Sequence, residues 1–139
     1  MKLSKELFNK LIEEASKGMQ NSYSPYSKFK VGAAVLGQSG NIYKGTNIEN
    51  ASFGVTICAE RCAIFSAIAS GEKAIKAIVI VFKQKGLGPL STPCGACRQV
   101  MAEFKPSDKD IDIITAEKGE LKIYKLSYLL PESFVLPCT

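Results

Sequence analysis

The stretch Ala77-Ile78-Val79-Ile80-Val81-Phe82 decides the fold, because an unbroken apolar run rich in β-branched residues predicts a strand covered on both faces. Outward from it, helices rich in small residues are predicted over Cys58–Ser70, ending at Gly71, and from about Cys94 to Phe104. A buried strand between two such helices is typical of an α/β protein.

The remaining elements are predicted from periodicity and turn residues. A first helix with Ser4 as its N-cap and Gly18 near its end precedes a hairpin, which is formed by Phe29–Gly37 and Asn41–Gly45 around the turn Gln38-Ser39-Gly40. Two loops are predicted, an ordered one over Thr46–Ile57 and another that holds Gly86, Gly88, Pro89 and Pro93. Towards the C-terminus the predictions are strands over Ile111–Thr115 and Leu121–Tyr124, a turn between them at Glu117–Glu120, and a short helix over Ser127–Leu130. We therefore expect a single domain over residues 1–139, an α/β sandwich of about five strands.

Composition and charge narrow the class of protein. No apolar run approaches the roughly 20 residues that span a bilayer, and Met1–Glu6 lacks the apolar segment of a signal peptide. We therefore expect a cytoplasmic protein with no membrane partner. The formal charge is +5, but Lys and Arg are interspersed with Asp and Glu, so no nucleic-acid partner is expected.

The chain has no histidine and five cysteines. Ser-His and Cys-His mechanisms are thereby excluded, as is any zinc site that needs imidazole. An odd number of cysteines in a reducing compartment favours metal binding or catalysis over disulfides.

Three of the cysteines stand at predicted helix starts. Cys94-Gly95-Ala96-Cys97 follows Pro93, and alone it is ambiguous between half a metal site and a dithiol redox motif. Cys58-Ala59-Glu60 begins the other core helix. Together, Cys58, Cys94 and Cys97 predict a three-thiolate Zn²⁺ site with one open position, as in catalytic zinc sites, and Glu60 is placed to move protons of a water there.

Neighbouring residues leave alternatives open. Arg61 and Arg98 directly follow the two ligand segments and have two interpretations: each is either a donor to the sulfurs or an ordinary helix-surface residue. Cys62 lies one helical turn after Cys58, so a structural zinc site of Cys58, Cys62, Cys94 and Cys97 is the main rival hypothesis. Cys138 is interpreted as a tail residue.

Several motifs in this order resemble the small cytidine deaminases. The resemblance extends from about Ser24 to Phe134 and rests on four stretches: Tyr26–Ala34, Asn47–Phe53, Cys58–Arg61 and Pro93–Gln99. It implies a three-layer α/β/α sandwich with a mixed sheet and one Zn²⁺ per subunit. The chain departs from the pattern of this family at two positions. Cys62 stands where a thiol is unusual, and Phe53 stands where tyrosine is common. Neither departure changes the chemistry.

The resemblance also implies a function and a set of site residues. Zinc-bound hydroxide would attack C4 of cytidine, and of deoxycytidine, with Glu60 as the proton shuttle in a pyrimidine salvage reaction. Asn47 and Glu49 would bind the ribose, Phe29 would pack on the pyrimidine, and Ala51 and Ala59 would line the substrate. Phe134 would come from a neighbouring subunit of a homotetramer.

Two other functions remain open. One is a deaminase of a different aminopyrimidine, such as a nucleoside antibiotic or a base within a polynucleotide. The other is the non-catalytic four-cysteine zinc module.

Overall fold

The computed structural model describes residues 2–83 and 92–138 of the chain. The predicted loop residues Gly86, Gly88 and Pro89 lie outside that part. Within it the elements, in chain order, are α1 (Lys5–Gln20), β1 (Lys30–Gly37), β2 (Ile42–Thr46), a 3₁₀ helix (Phe53–Val55), α2 (Ala59–Ala69), β3 (Ile75–Lys83), α3 (Gly95–Glu103), β4 (Asp112–Glu117), β5 (Glu120–Lys125) and α4 (Leu126–Leu129).

The strands of the described residues form one five-stranded sheet in the order β2-β1-β3-β4-β5. Strands β3 and β4 are parallel, and the other neighbouring pairs are antiparallel. The predicted mixed sheet is therefore confirmed. Its central strand, β3, contains the apolar run from Ala77, whose side chains alternate between two separate cores.

Helices cover both faces of the sheet, as the predicted three-layer sandwich requires. Helix α1 packs through Leu11 and Ala15 on one face, against Val79 and its neighbours. Helices α2 and α3 pack on the other face, where Ile64 and Met101 meet Ile78 in the larger core.

Two glycines allow the helices to approach the sheet closely. A Cβ at Gly45 in β2 would lie 2.3 Å from the backbone nitrogen of Ala63 in α2. A Cβ at Gly32 in β1 would lie 2.0 Å from the carbonyl oxygen of Ala15 in α1. Both distances are shorter than side-chain contacts permit, so only glycine allows this packing.

Some predicted boundaries and one predicted loop differ from the structure. The segment Thr46–Ile57 contains the 3₁₀ helix and an antiparallel bridge between Ile48 and Ile57, so it is more regular than its polar composition indicates. The predicted turn Glu117–Glu120 is shorter than expected, because β4 and β5 pair as far as its two ends. None of the helices in the described ranges is both long and apolar enough to cross a bilayer.

The topology brings two helix starts to one edge of the sheet. Lys30 at the beginning of β1 pairs with Lys83 at the end of β3, and Gly32 pairs with Thr46 at the end of β2. Strands β2 and β3 therefore end at the same edge. Helix α2 follows β2 in the chain and α3 follows β3, so both helices begin near that edge.

Candidate metal centre and adjoining cavity

Three sulfur atoms meet where α2 and α3 begin. Cys58 and Cys94 are the N-cap residues of the two helices, with extended backbone angles and no side-chain capping bond, so both sulfurs remain available. Cys97 lies in the first turn of α3 and is fully buried. In the described part of the chain, the ligand atoms of these three cysteines lie within 4.8 Å of one another.

The geometry of this cluster fits a zinc ion. The Sγ atoms of Cys94 and Cys97 are 3.6 Å apart, close to the roughly 3.8 Å expected for two thiolates on a tetrahedral Zn²⁺ with Zn–S bonds of about 2.3 Å. Three thiolates leave the fourth position of a tetrahedral ion for a small ligand. Cys62 is not part of the cluster, so the grouping does not support the four-cysteine hypothesis.

The surroundings of Cys58 favour its thiolate form. Hydrogen bonding from the Cys97 thiol and from the Arg61 guanidinium lowers the pKa of Cys58 to about 5. The same contact with Cys58, together with burial, raises the pKa of Cys97. Because metal ligands must be deprotonated, the lowered pKa favours Cys58 as a ligand near neutral pH.

Arg61 lies directly against the sulfur cluster. Its Nη2 is 3.4 Å from Cys58 Sγ and 3.4 Å from the Thr56 carbonyl oxygen, and it donates to both. This contact is the one the sequence predicts. A guanidinium beside thiolates offsets part of the negative charge that three of them concentrate in one place.

Glu60 is a buried carboxylic acid beside the cluster. It lies in the first turn of α2, two residues after Cys58, and only 5% of the residue is exposed. Burial, and to a smaller extent the negative charge of Cys58, raise the pKa of Glu60 to about 7. A carboxyl group with such a pKa is able both to donate and to accept a proton near neutral pH.

A cavity opens beside the sulfurs and Glu60. Its empty volume, including the open mouth, is about 730 Å³. Its lining includes Cys58, Cys94 and Glu60 at one part and Asn47 and Glu49 at another. Clefts of this kind, mostly apolar with a few converging polar groups, are typical of small-molecule sites.

The chain's relationships agree with this geometry. Residues 5–111 match the family model described as the cytidine and deoxycytidylate deaminase zinc-binding region. The match covers more than half of the chain. The chain belongs to this family.

Similar proteins support the same assignment to the deaminase family. The chain is 46% identical over 125 residues to a cytidine deaminase of Sporosarcina psychrophila, covering 90% of this chain and 89% of that one. It is 45% identical over 124 residues to a cytidine deaminase of Halalkalibacterium halodurans, covering 89% and 91%. A crystal structure of cytidine deaminase from Burkholderia pseudomallei superposes with a TM-score of 0.80 at 40% identity, covering 91% of this chain and 98% of that chain.

In this member of the deaminase family, Asn47 is held by the protein's own backbone. Its Oδ1 accepts from the Val31 amide at 3.0 Å and from the Ser22 hydroxyl at 2.5 Å. Its Nδ2 donates to the Phe29 carbonyl at 2.7 Å. An amide nitrogen carries two hydrogens, so one N–H of Asn47 remains for another partner.

Glu49 is fixed in a similar way by the loop before β1. Its Oε1 accepts from the amides of Tyr26 and Ser27 at 3.0 and 3.1 Å, and its Oε2 accepts from the Ser27 hydroxyl. These bonds, that from the Ser27 hydroxyl above all, lower the pKa of Glu49. The ionised carboxylate still has lone pairs to accept a further hydrogen bond.

Phe29 lines the cavity together with an aromatic residue that the sequence reasoning missed. The rings of Phe29 and Phe82 stack at 5.7 Å with an interplanar angle of 11°, and both side chains line the cavity. Phe82 lies near the carboxyl end of the central strand, where α/β proteins commonly place ligand sites. Its place near the end of the central strand is the feature of the sequence that could have identified Phe82 as a cavity residue.

Not every predicted site residue reaches this cavity. Ala59 lines it, but Ala51 and Phe134 do not, and the Phe134 residue is 69% exposed. Of the two interpretations of Arg98, donation to a sulfur is not what the structure shows: its guanidinium donates to the carbonyls of Pro93 and Leu129 and to the hydroxyl of Thr92. The five N–H donors of a guanidinium allow it to bind several acceptors at once.

Proposed function

We propose that this protein catalyses the zinc-dependent hydrolytic deamination of cytidine and deoxycytidine, releasing uridine or deoxyuridine and ammonia. The observation that carries the proposal is one cavity, lined by two of the three clustered cysteines, by a buried carboxyl group and by a pair of polar side chains suited to a sugar hydroxyl. Cys58, Cys94 and Cys97 are the proposed ligands of one zinc ion per chain. Glu60 is the proposed catalytic acid and base.

Glu60 moves the protons in the proposed reaction. Zinc, when bound, supplies a Lewis acid that makes water a nucleophile at neutral pH. Glu60 accepts a proton from that water and donates one to N3 as the oxygen adds to C4 of the pyrimidine. It then accepts the second proton from the hydroxyl now on C4 and delivers it to the amino group, so that the C4 carbonyl forms, the C4–N4 bond breaks and ammonia leaves.

Asn47 and Glu49 are proposed to recognise a ribose hydroxyl. A hydroxyl group both donates and accepts, and the remaining Asn47 N–H and the Glu49 carboxylate offer one partner of each kind. Because both side chains are already fixed by backbone groups, little conformational entropy is lost when substrate binds. A fixed carboxylate at this position also disfavours substrates that carry negative charge nearby.

The apolar part of the cavity is proposed to hold the base. Phe29 offers a ring face to the pyrimidine, and its stacking on Phe82 limits its motion. The backbone around Ala59, which lines the cavity, is proposed to contact the pyrimidine edge. Ala51 does not line the cavity of its own chain, and it is proposed as a substrate-binding residue on the family resemblance alone. Arg61 is proposed to adjust the charge of the thiolate cluster from its position against Cys58.

A homotetramer in the cytoplasm, acting in pyrimidine salvage, completes the proposal. Large apolar residues outside the cavity are exposed, among them Phe53 at 80%, Val55 at 65% and Phe134 at 69%. Exposed apolar groups of this size suit contacts between subunits. Phe134 is proposed to reach the cavity of a neighbouring chain, and sedimentation of the purified protein at the mass of four chains is the expected result.

A substrate panel tests the proposed activity. Cytidine, deoxycytidine, cytosine, deoxycytidylate and a cytosine-containing single strand are offered to the zinc-loaded protein, and loss of the cytosine chromophore is followed by absorbance. Conversion of the two nucleosides, at a kcat/KM well above that of the other three, is expected. A preference for the nucleotide or the strand would reject the assigned role of the Asn47–Glu49 pair, and no conversion of any member would reject the deaminase.

A further inference from the structure

The side chain of Arg98 joins two segments that are distant in the sequence. Its Nε donates to the Pro93 carbonyl at 2.7 Å and its Nη2 donates to Thr92 Oγ1 at 2.5 Å, both just before the ligand Cys94. Its Nη1 donates to the carbonyl of Leu129, the last residue of α4, at 2.7 Å. One guanidinium therefore binds the start of the metal-binding loop and the C-terminal part of the chain at once.

The bond to Pro93 closes a ring around the ligand pair. The ring runs from Pro93 to Arg98 and contains both Cys94 and Cys97. The amide of Arg98 also donates to the Cys94 carbonyl at 3.0 Å, within the same ring. The side chain of Arg98 thus holds the two residues that directly precede Cys94, and its amide holds the carbonyl of Cys94 itself.

The next residue extends the connection along the C-terminal segment. Gln99 Nε2 donates to the Phe134 carbonyl at 3.0 Å, and Leu129 and Leu130 pack against the larger core. Two successive side chains of α3 thus hold residues 129–134 against the helix that carries Cys97. Beyond Leu130, the side chains of Phe134, Val135 and Leu136 are exposed, and the bond from Gln99 is a contact of this part of the chain with α3.

We propose that Arg98 is a positioning residue that couples the C-terminal segment 129–134 to the retention of the metal ion. It touches neither the sulfurs nor the cavity, and acts by fixing the backbone that presents Cys94 and Cys97. Coupling of this kind is reciprocal, so the metal ion also restrains the C-terminal segment. The inference rests on the proposed zinc site.

Zinc release is the first readout. The purified zinc-loaded wild type and the Arg98→Gln and Arg98→Lys variants are mixed with excess chromogenic chelator, and the release rate is measured. Loss of a residue that orients metal ligands typically weakens metal binding by about 10–100-fold, so Arg98→Gln is expected to release zinc about tenfold faster or more, with partial rescue by Arg98→Lys. Lys105→Gln is the matched control, because it removes one cation and one bond to a carbonyl, that of Lys109, just beyond the other end of α3.

Hydrogen exchange of the C-terminal segment is the second readout, and it needs no variant. Removal of zinc from the wild type is expected to speed amide exchange in residues 130–136, and Arg98→Gln is expected to do so even with zinc bound. Release rates within twofold of the wild type in both Arg98 variants, or unchanged exchange on zinc removal, would overturn the coupling. A wild type that binds no zinc would instead reject the proposed function, so the two failures are distinguishable.

Discussion

At the scale of single residues, Glu60 and the cysteines divide the proposed chemistry between them. The three thiols are the proposed metal ligands, and Glu60, buried two residues after Cys58, is the proposed proton carrier. Neither role needs histidine, which the chain lacks. Substitution of Glu60 is therefore expected to lower turnover with zinc retained, whereas substitution of a cysteine ligand is expected to lower both.

The variant Glu60→Gln tests the proton shuttle. An amide of the same size preserves packing but cannot carry the proton, so we expect one zinc per chain to be retained and kcat to fall by about 10²–10⁴-fold. Zinc by atomic emission and the rate of cytidine conversion are the measurements. Glu103→Gln, at an exposed position at the end of α3, is the control and should match the wild type in zinc content and in rate. A Glu60→Gln protein with wild-type turnover would remove Glu60 from the mechanism.

The variant Cys62→Ser tests the four-cysteine alternative. Cys62 lies outside the sulfur cluster, so we expect Cys62→Ser to hold one zinc per chain and Cys97→Ser to lose it. Metal content after gel filtration is compared for the two variants. A zinc-free Cys62→Ser protein would revive the structural site that the sequence leaves open.

At the scale of the elements, the close packing of α2 on β2 positions both Cys58 and Glu60. Gly45→Ala places a methyl group against the backbone of α2, which has no room to yield without moving the helix start. We expect a loss of about 1–3 kcal/mol in the free energy of unfolding, as is typical of overpacking. Chemical denaturation measures it, and Gly54→Ala is the control, since a Cβ there meets open space. Equal stability of the two variants would contradict this packing.

A second element-scale contact joins the β1–β2 turn to the residues that follow α2. Glu72 is 6% exposed and accepts from the Ser39 amide at 3.1 Å, from the Ser39 hydroxyl and from the Tyr43 hydroxyl at 3.1 Å. The bond from the Ser39 hydroxyl, above all, holds the pKa of Glu72 below its ordinary value of 4.5. The folded state thus favours the ionised carboxylate of Glu72. The contribution of this carboxylate to the free energy of unfolding is present above the unfolded-state pKa and is lost as pH falls through the folded-state pKa.

Glu72→Gln is therefore expected to have a lower Tm than the wild type at pH 7. This difference in Tm is expected to shrink as the pH falls below about 4.5, the ordinary range of carboxyl pKa values. Thermal unfolding of the variant and the wild type across this range measures the difference. Glu120→Gln in the exposed edge strand is the control and should show a small, flat difference. A Glu72→Gln deficit that grows on acidification would reverse the assigned sign.

Sequence patterns predict the elements better than they predict the contacts between them. The apolar run in β3 and the cysteines at two helix starts were sufficient to predict a covered sheet and a thiolate cluster, because periodicity and capping are local properties. The close approach at Gly45, the stacking of Phe82 on Phe29 and the direction of the Arg98 side chain depend on residues far apart in the chain. Those contacts become visible only in the folded molecule.

At the scale of the whole molecule, the fold brings two strand ends, two helix starts and the C-terminal segment to one edge of the sheet. Strands β2 and β3 end there, α2 and α3 begin there, and Arg98 connects the C-terminal segment to the same place. The metal site is thus built on element ends that are fixed by the core. Its occupancy is expected to control both turnover and the order of the C-terminal segment.

The most direct test of a zinc-dependent cytidine deaminase is a metal titration. Zinc is removed with a chelator, returned in steps, and cytidine conversion is plotted against zinc bound per chain. We expect no conversion without zinc and a linear rise that saturates at one zinc per chain. Conversion by the zinc-free protein, or a fully loaded protein that leaves cytidine unchanged, would contradict the account.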